Sequence, residues 1–386
     1  MSKENNNYNE LKNSNQAIYN GKPSIVLKHR PFFSIIIPCY NSRKTIGNLL
    51  DSIVEQHMDD DIEVIISDDC STENYQDIVQ KYLKILSIKQ IQTDYNFAPG
   101  NTREKGVSIA EGEWICFADH DDVFIMDTLK EIKRNIIESK EKYYVIANFY
   151  EQNPDTGEII REVIGYRNWN HAKFYNLDNF WKPYNIHFKK DLLTHEDICI
   201  SSQVNCAIKN VNDDNPLYVN IFCYMWNNRP TTISREKYGN HSFLEVFLKD
   251  YITATAEVYI DKYLSGEIDF NYAFHSCMEV LLYCYFYMQG IKFHNPSDWI
   301  KDNETHCRNI LISIKSTFSI NENLTNMDIF NYAAQDDAEL FSQIRPVAIM
   351  GCGPFIETET FLQWLNILHV DIVPRITMTD AMRKQI

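Results

Sequence analysis

The chain has 386 residues, a formal net charge of −16 and a hydrophobic fraction of 44%. This length predicts more than one domain, and the apolar content suffices for packed cores, which excludes a wholly disordered chain. The negative charge argues against a nucleic-acid-binding protein and against adsorption to an anionic membrane, because both need a basic surface. The ten cysteines are scattered without a C-x-x-C pair, so we expect reduced, structural thiols of a cytosolic protein and no structural zinc site.

The first thirty residues are polar and rich in asparagine and lysine, without the apolar core of a signal peptide. We therefore expect a flexible tail over residues 1–30. The longest apolar run covers only residues 280–288, whereas a membrane-spanning helix needs about 20 residues. We expect no transmembrane segment and interpret this run as a buried helix that ends at Gly290.

From residue 31 onward, predicted strands and helices alternate. Short apolar runs indicate strands, and apolar residues at a spacing of about 3.6 indicate helices. The predicted strands are 33–37, 62–67, 88–92, 114–118 and 143–149, and the predicted helices are 42–56, 73–86, 101–110 and 127–138. This alternation predicts an α/β fold of βαβ units, with a mainly parallel sheet covered by helices on both faces.

Polar segments follow three of these strands: Pro38–Asn41, Ser67–Asp69 and Asp119–Asp122. Ligands bind at the carboxyl ends of the strands in such sheets, so we expect the three segments to meet in one crevice. The D-x-D pair of Asp119 and Asp121 would repel unless a cation lay between the carboxylates. Mg²⁺ or Mn²⁺, which take oxygen ligands and bridge to substrate phosphates, are the expected ions. Taken alone, the motif is also compatible with a solvated acidic loop.

The second half of the chain has a different pattern. Apolar residues from Phe243 to Val258 recur at helical spacing and a second helix is predicted at 271–288, so we expect residues 237–340 to be mostly α-helical. Val347–Pro354 resembles a strand that enters a glycine-rich turn. The absence of a third glycine favours a structural strand–turn–helix over a nucleotide-binding turn. The segment 341–386 could also begin a further domain.

Four motifs occur in a characteristic order between residues 32 and 235. They are Phe33–Asn41, Val64–Ser71, Asn96–Gly106 and Glu111–Asp122. In content and order they resemble the opening strand and P-x-Y-N turn, the V-D-D-x-S segment, the N-x-G-x-x-x-A-R-N-x-G stretch and the D-x-D approach of the inverting family 2 glycosyltransferases. Thr102 and Glu104 depart from the third motif, where alanine and asparagine are usual. The resemblance implies a GT-A domain, Rossmann-like with a mainly parallel central sheet, over residues 31–236.

The resemblance also assigns roles in donor binding. The nucleotide-binding residues it implies are Pro38, Tyr40, Asn41, Asp69, Arg103 and Asp119. Tyr40 would stack on uracil and Asp69 would accept the base N–H, which favours UDP. Asp121, together with Asp119, would ligate the metal between the donor phosphates, and Arg103 would hold the acidic cluster or the diphosphate. Ordinary roles stay open for Tyr40 as a turn aromatic, Asp69 as a helix N-cap and Arg103 as a surface cation.

Thr194–Ile198 resembles the family's E-D motif, which precedes a helix, here expected at 198–208. It implies Asp197 as the catalytic base, with Glu196 as the fallback. The base would take the proton of the acceptor hydroxyl while the metal stabilises the departing diphosphate. The alternative for Asp197 is an acidic residue that the helix dipole favours. His195 is expected to be a structural neighbour.

Tyr224–Arg235 resembles the family's closing segment, an aromatic strand followed by a basic loop. Either Arg229 or Arg235 is a candidate phosphate contact, and an ordinary basic loop is the alternative. Four rings between residues 150 and 191 could stack on a sugar or pack in the core: Trp169, Trp181, Tyr184 and His187.

Together these features predict a metal-dependent inverting hexosyl- or N-acetylhexosaminyltransferase. It would move a sugar from a UDP-sugar to a glycan or lipid-linked glycan acceptor in bacterial surface polysaccharide or lipo-oligosaccharide synthesis. We expect a cytoplasmic location, with attachment to the inner membrane face and oligomerisation left open. The alternative is a non-catalytic nucleotide-sugar or glycan-binding module, which has no need for an intact D-x-D, Asp69 and Glu196–Asp197. A nucleotidyltransferase would need a glycine-rich basic loop where residues 39–42 stand.

Overall fold

The structure is a computed structural model that describes residues 18–19, 22–23, 29–96, 98–190, 192–211, 216–229, 250–269, 272–273 and 276–277. The chain divides into two compact units, residues 1–237 and 238–386. The segment predicted as a strand–turn–helix, 341–386, lies outside the described residues, as do most of the predicted tail and most of the helix predicted at 271–288. The finer division of the chain into domains stays a prediction.

The described strands and helices are numbered in chain order. The strands are β1 (Ile18–Tyr19), β2 (Lys22–Pro23), β3 (Phe33–Cys39), β4 (Ile62–Asp68), β5 (Ser87–Gln92), β6 (Trp114–Phe117), β7 (Val123–Phe124), β8 (Tyr144–Gln152), β9 (Ile159–Val163), β10 (Lys173–Asn176) and β11 (Leu217–Asn227). The helices are α1 (Ile46–Val54), α2 (Gln76–Val79), α3 (Pro99–Ser108), α4 (Thr128–Ser139), α5 (Glu196–Asn210) and α6 (Ala256–Leu264), with a π-helical turn at Leu177–Trp181.

One curled, mixed sheet forms the centre of the first unit, with strand order β5-β4-β3-β6-β10-β8-β11-β7 and β9 paired to the end of β8. The long ladders β5-β4, β4-β3, β3-β6 and β8-β11 are parallel, which confirms the predicted α/β fold with a mainly parallel sheet. β10 lies antiparallel to both β6 and β8. The segment between residues 150 and 191, which has no strand in the sequence-based prediction, therefore supplies β9 and β10.

Successive residues of β3 point into two different cores. Ile35 and Ile37 pack in one cluster with α1 and α4, and Ile36 packs in the other with α5. The continuous apolar run of β3 is needed because helices cover both faces of a parallel sheet. The buried stripe of α1, from Ile46 to Ile53, follows the predicted helical spacing.

The helix predicted over residues 73–86 is wrong in length, since only α2 is α-helical there. After α2 the chain makes tighter turns, in which the N–H groups of Lys81, Tyr82 and Ile85 donate to carbonyls three residues back. Tyr82 also donates to the Gly47 carbonyl at 3.1 Å, which ties this segment to α1. The apolar spacing that suggested a helix still buries Leu83 and Leu86 in these turns, since tight turns have a similar period.

In the second unit, residues 250–254 and α6 are helical. Among the residues described in either unit, no helix combines the length and the apolar character that a membrane crossing requires.

Helix α3 lies directly against β3. A Cβ atom on Gly106 would approach Cγ2 of the fully buried Ile36 to 2.5 Å, so only glycine allows this contact. This close approach determines how near α3 lies to the sheet. It also sets the position of Arg103, which lies one helical turn earlier.

We predict that Gly106→Ala lowers the free energy of unfolding by about 1–3 kcal/mol, because the added methyl group overpacks a rigid core. Gly47→Ala is the matched control, since Gly47 is also helical and its Cβ would meet Ile78 only at 3.5 Å. The control should be neutral or more stable by up to about 1 kcal/mol. Urea unfolding followed by tryptophan fluorescence measures both. Equal stability of the two variants would contradict this close packing of α3 against β3.

Candidate active site

The turn after β6 carries the D-x-D carboxylates, and β11 fixes its shape. The backbone N–H of Asp119 donates to the Tyr224 hydroxyl oxygen at 2.9 Å, and that hydroxyl donates to Asp122 at 2.9 Å. Asn227 adds two bonds, from its backbone N–H to the Asp122 carboxylate at 2.7 Å and from its amide to the Asp121 carbonyl at 2.5 Å. Asp122 is 1% exposed and holds the turn together. Burial raises its pKa well above the usual range, and the neighbouring charges of Asp119 and Asp121 add to this.

Arg103 connects this turn to the start of α5. Its guanidinium contacts Asp119 Oδ1 at 2.5 Å and Glu196 Oε1 at 2.8 Å, and its side chain is only 7% exposed. Burial favours the neutral acid of Asp119, but the charge and hydrogen bond of Arg103 outweigh it and hold the pKa of Asp119 below its usual range. Arg103 is thus buried against the acidic cluster and is not a surface residue. Its contact with a diphosphate stays a prediction.

Asp121, like Asp119, is a partly exposed carboxylate of this turn. Its carboxylate is 3.4 Å from Nε of Arg229, and its side chain is 24% exposed. Burial raises the pKa of Asp121, and the charge of Asp119 adds to this effect. The carboxylate therefore lies beside one cation and keeps access to solvent, as a ligand to a metal or a phosphate-bound ion requires. Arg235, the other candidate phosphate contact, lies outside the described residues.

Three potential metal ligands lie close together in the described part of the chain: Asp119, Asp122 and His171, all within 4.8 Å of one another. The His171 ring stacks on Tyr224 at 5.4 Å between centroids. Burial lowers the pKa of His171 to about 4, so the ring is neutral near pH 7 and can offer a nitrogen to a cation. Asp121 is not part of this group. Carboxylates suit Mg²⁺ and Mn²⁺ alike, whereas an imidazole nitrogen is a poor ligand for Mg²⁺.

The ends of β3 and β4 form the neighbouring part of the site. Pro38 is the penultimate residue of β3, and the Tyr40 ring beyond it is 44% exposed. Asn41 has a left-handed backbone with φ of 51°, and its amide oxygen accepts from the backbone N–H groups of Thr72 at 2.9 Å and Glu73 at 3.1 Å. Asn41 thus joins the two strand-end loops.

Asp69 is 5% exposed at the end of β4. Its carboxylate accepts from Thr93 Oγ1 at 3.0 Å, and its N–H donates to the Cys39 carbonyl at 2.7 Å. The buried carboxylate lies beside the loop that carries the exposed Tyr40 ring, so the crevice offers an aromatic face next to a hydrogen-bond acceptor.

Helix α5 starts at the E-D motif and extends two residues earlier than expected. His195 has φ of 61° and precedes Glu196, which pairs with Arg103. Asp197 is partly buried and accepts from the N–H of Ile198 at 2.8 Å. Burial, reinforced by the charge of Glu196, raises the pKa of Asp197 to about 7, against the lowering effects of Arg103 and Lys173. A carboxyl group with this pKa can accept a proton near neutral pH.

The four candidate sugar-stacking rings have different environments. Trp181 is 2% exposed and packs on Phe117 at 5.7 Å between centroids, so its role is core packing. Tyr184 lies against Phe180 at 5.6 Å, and the His187 backbone bonds to Gln203. Trp169 is partly exposed and contacts Trp226 at 5.1 Å, so it is the candidate of the four that borders the turn after β6 through His171.

The departure from the third motif at Glu104 has a structural explanation. Its carboxylate accepts from the Phe188 backbone N–H at 2.9 Å, which anchors the segment before α5 to α3. Burial raises the pKa of Glu104. Glu104 therefore adds a link between α3 and the segment that precedes the E-D motif.

The sequence analysis missed the roles of Tyr224, Asn227 and His171. Tyr224 and Asn227 contact the D-x-D turn from more than a hundred positions away, at the end of β11. The signal available in the sequence was the polar Asn227–Arg229 segment directly after a strand. His171 has no such signal, since it is a single histidine in an irregular segment.

Comparison with protein families identifies the domain. A family model described as Glycosyl transferase family 2 matches residues 34–192. The chain is 42% identical over 101 residues to the poly(ribitol-phosphate) beta-N-acetylglucosaminyltransferase TarS of Staphylococcus aureus, covering 26% of this chain and 18% of that protein. It is also 42% identical over 146 residues to the poly(ribitol-phosphate) beta-glucosyltransferase of Bacillus spizizenii, covering 34% of this chain and 23% of the relative. The chain thus spans less than a quarter of these relatives' length.

Solved structures show the same fold. TarS residues 1–349 in complex with UDP-GlcNAc match with a TM-score of 0.57 at 20% identity, over 90% of this chain and 94% of that one. The UDP complex of the same S. aureus fragment matches with a TM-score of 0.55, also at 20% identity, over 86% and 91% of the two chains. At this level of identity the match shows a shared fold.

Proposed function

Residues 34–192 of the chain are a glycosyl transferase family 2 domain, and we propose from this that the chain transfers a sugar from a UDP-sugar to an acceptor hydroxyl with inversion. The observation that carries the proposal is the Arg103 link. It brings the strand-end carboxylate Asp119 and the helix-start carboxylate Glu196 to one guanidinium, at 2.5 and 2.8 Å. The proposed donor-binding turn and the residue next to the proposed base would thereby be held in one site.

The nucleotide would bind across the ends of β3 and β4. The exposed ring of Tyr40 can stack on the base, and the buried Asp69 carboxylate can accept the base N–H. Pro38 and Asn41 shape the loop that carries Tyr40. Complexes of the structurally similar S. aureus protein with UDP and UDP-GlcNAc support a UDP-sugar as the donor class.

We propose Asp119 and Asp121 as the protein ligands of a divalent cation, Mn²⁺ or Mg²⁺. When bound, such an ion neutralises the charge that develops on the departing diphosphate. Both carboxylate oxygens of Asp122 already accept hydrogen bonds from Tyr224 and Asn227, so Asp122 is better suited to holding the turn. The neutral His171 beside Asp119 is the further ligand that would favour Mn²⁺ over Mg²⁺. Arg229, close to Asp121, can contact a donor phosphate.

Asp197 would act as the base. Its carboxylate takes the proton from the acceptor hydroxyl while the acceptor oxygen forms a bond to the anomeric carbon. The bond from that carbon to the diphosphate oxygen breaks at the same time, and UDP departs with the electron pair. Attack from the face opposite the diphosphate inverts the configuration. Glu196 is less suited to this role because its charge is already engaged by Arg103.

The names of two relatives support a proposal for the acceptor class. Both are named as poly(ribitol-phosphate) transferases, so we propose a polyol-phosphate or glycan chain of the cell surface, free or lipid-linked, as the acceptor. Its synthesis from nucleotide sugars would place the chain in the cytoplasm, at or near the inner membrane face. A non-catalytic module that binds nucleotide sugar is the alternative. The pKa of Asp197 near 7 favours the enzyme, because a binding module needs no proton acceptor.

We predict that the native chain releases UDP from one member of a UDP-sugar panel with Mn²⁺ and loses this activity with EDTA. Asp121→Asn should reduce turnover by about 100-fold or more, because a metal ligand is lost. Asp127→Asn is the matched control. Asp127 is half-exposed, and its left-handed backbone, with φ of 60°, accommodates asparagine. Metal-independent turnover, or equal turnover of the two variants, would contradict the metal assignment.

We predict that kcat/KM falls about tenfold per pH unit below pH 7, because the Asp197 carboxyl becomes protonated and loses its ability to accept the acceptor proton. Asp197→Asn should lower kcat by about 100-fold or more and leave UDP affinity unchanged. Steady-state rates between pH 5 and 9 and UDP titrations measure these effects. Full turnover by Asp197→Asn would remove this residue as the base. If the native chain turns over none of the UDP-sugars but still binds UDP, the non-catalytic module is favoured.

A further inference from the structure

Lys173, the first residue of β10, is a buried cation. Its side chain is 1% exposed, and its Nζ donates to the carbonyl of Arg167. In the described part of the chain, no carboxylate lies within ion-pair distance of this ammonium group. Burying a charge without a paired partner costs free energy. An apolar residue would fill this place in the core at lower cost, so the position of the ammonium group calls for a role.

The Arg167 carbonyl brings Lys173 next to the helix of the proposed base. The same carbonyl oxygen accepts from Ser201 Oγ at 2.9 Å. Ser201 lies on α5 four residues after Asp197, and residues four apart share one face of a helix. The ammonium group of Lys173 therefore shares a hydrogen-bond acceptor with the helix face that carries Asp197.

We propose that Lys173 is a positioning residue that keeps Asp197 ionised and directed at the acceptor, through its positive charge and through the Arg167 carbonyl that it shares with Ser201. This inference rests on the proposed function of Asp197. It adds a second cation, besides Arg103, that affects the charge of Asp197.

Several groups around Asp197 affect its charge. Glu196 on the same helix disfavours the ionised form, whereas the backbone N–H of Ile198, Arg103 on α3 and, with a smaller effect, Lys173 on β10 favour it. Arg103 is already shared by Asp119 and Glu196. Within the described residues, the charge of Asp197 also affects the phenols of Tyr166 and Tyr175. The side chain of Arg167 is exposed.

The direction of the effect follows from these charges. Without the ammonium group, the ionised form of Asp197 loses a favourable interaction, so its pKa rises. The acidic limb of the kcat/KM profile then moves to higher pH. A residue with a merely structural role would lower activity at all pH values and leave the limb where it is.

The test is the pH profile of kcat/KM for Lys173→Gln, which keeps a donor for the Arg167 carbonyl but removes the charge. We expect the acidic limb to move to higher pH, because the loss of a nearby positive charge disfavours the ionised carboxylate. Lys173→Arg, which keeps the charge, should restore the native limb. Lys182→Met is the control, because Lys182 is an exposed lysine paired with Asp178 at 2.8 Å. It should leave the profile unchanged.

A second readout and a second variant separate the possible outcomes. UDP affinity should be native in Lys173→Gln, and if that variant fails to fold, Lys173→Met is measured in its place. If the native chain is active and a folded, uncharged variant has the same acidic limb, the role of Lys173 is overturned and the proposed function stays intact. A native chain with no transfer from any UDP-sugar overturns the proposed function itself.

Discussion

The double ion pair of Arg103 is the interaction on which the site depends. A guanidinium that is 7% exposed would be costly to bury alone, and the carboxylates of Asp119 and Glu196 offset that cost with charge-assisted hydrogen bonds. Asp119 ends a strand and Glu196 starts a helix, on segments far apart in the chain. One side chain therefore fixes the distance between the donor-facing turn and the residue next to the proposed base.

The rest of the fold supports that link from two sides. On one side, the depth of α3 is set by two glycines, since a Cβ on Gly106 would collide with Ile36 and a Cβ on Gly100 would lie 3.1 Å from Glu196. On the other side, β11 holds the D-x-D turn through Tyr224 and Asn227. A site whose groups are fixed in this way loses little freedom when a donor binds. Asp197 is then left buried enough for its pKa to reach about 7.

How much of this could be predicted from the sequence depends on the range of the contacts. The strands β3, β4 and β6 were predictable because both faces are buried, which leaves continuous apolar runs, and the strand-end carboxylates followed from those strands. The contacts of Tyr224 and Asn227 with the turn were not predictable, because they depend on how β11 pairs with β7 and β8. The same holds for His171 and Lys173, whose positions follow from the antiparallel insertion of β10 between β6 and β8.

The most direct test of this account is the thermodynamic coupling between Arg103 and Glu196. The free energy of unfolding of Glu196→Gln is measured in the native chain and in Arg103→Gln, by urea denaturation of the full chain. The account predicts a clear loss of stability in the native chain and little or none in Arg103→Gln, with a coupling of about 1–3 kcal/mol. Equal losses in both backgrounds, to within about 0.5 kcal/mol, would show that Arg103 does not hold the two halves of the site together.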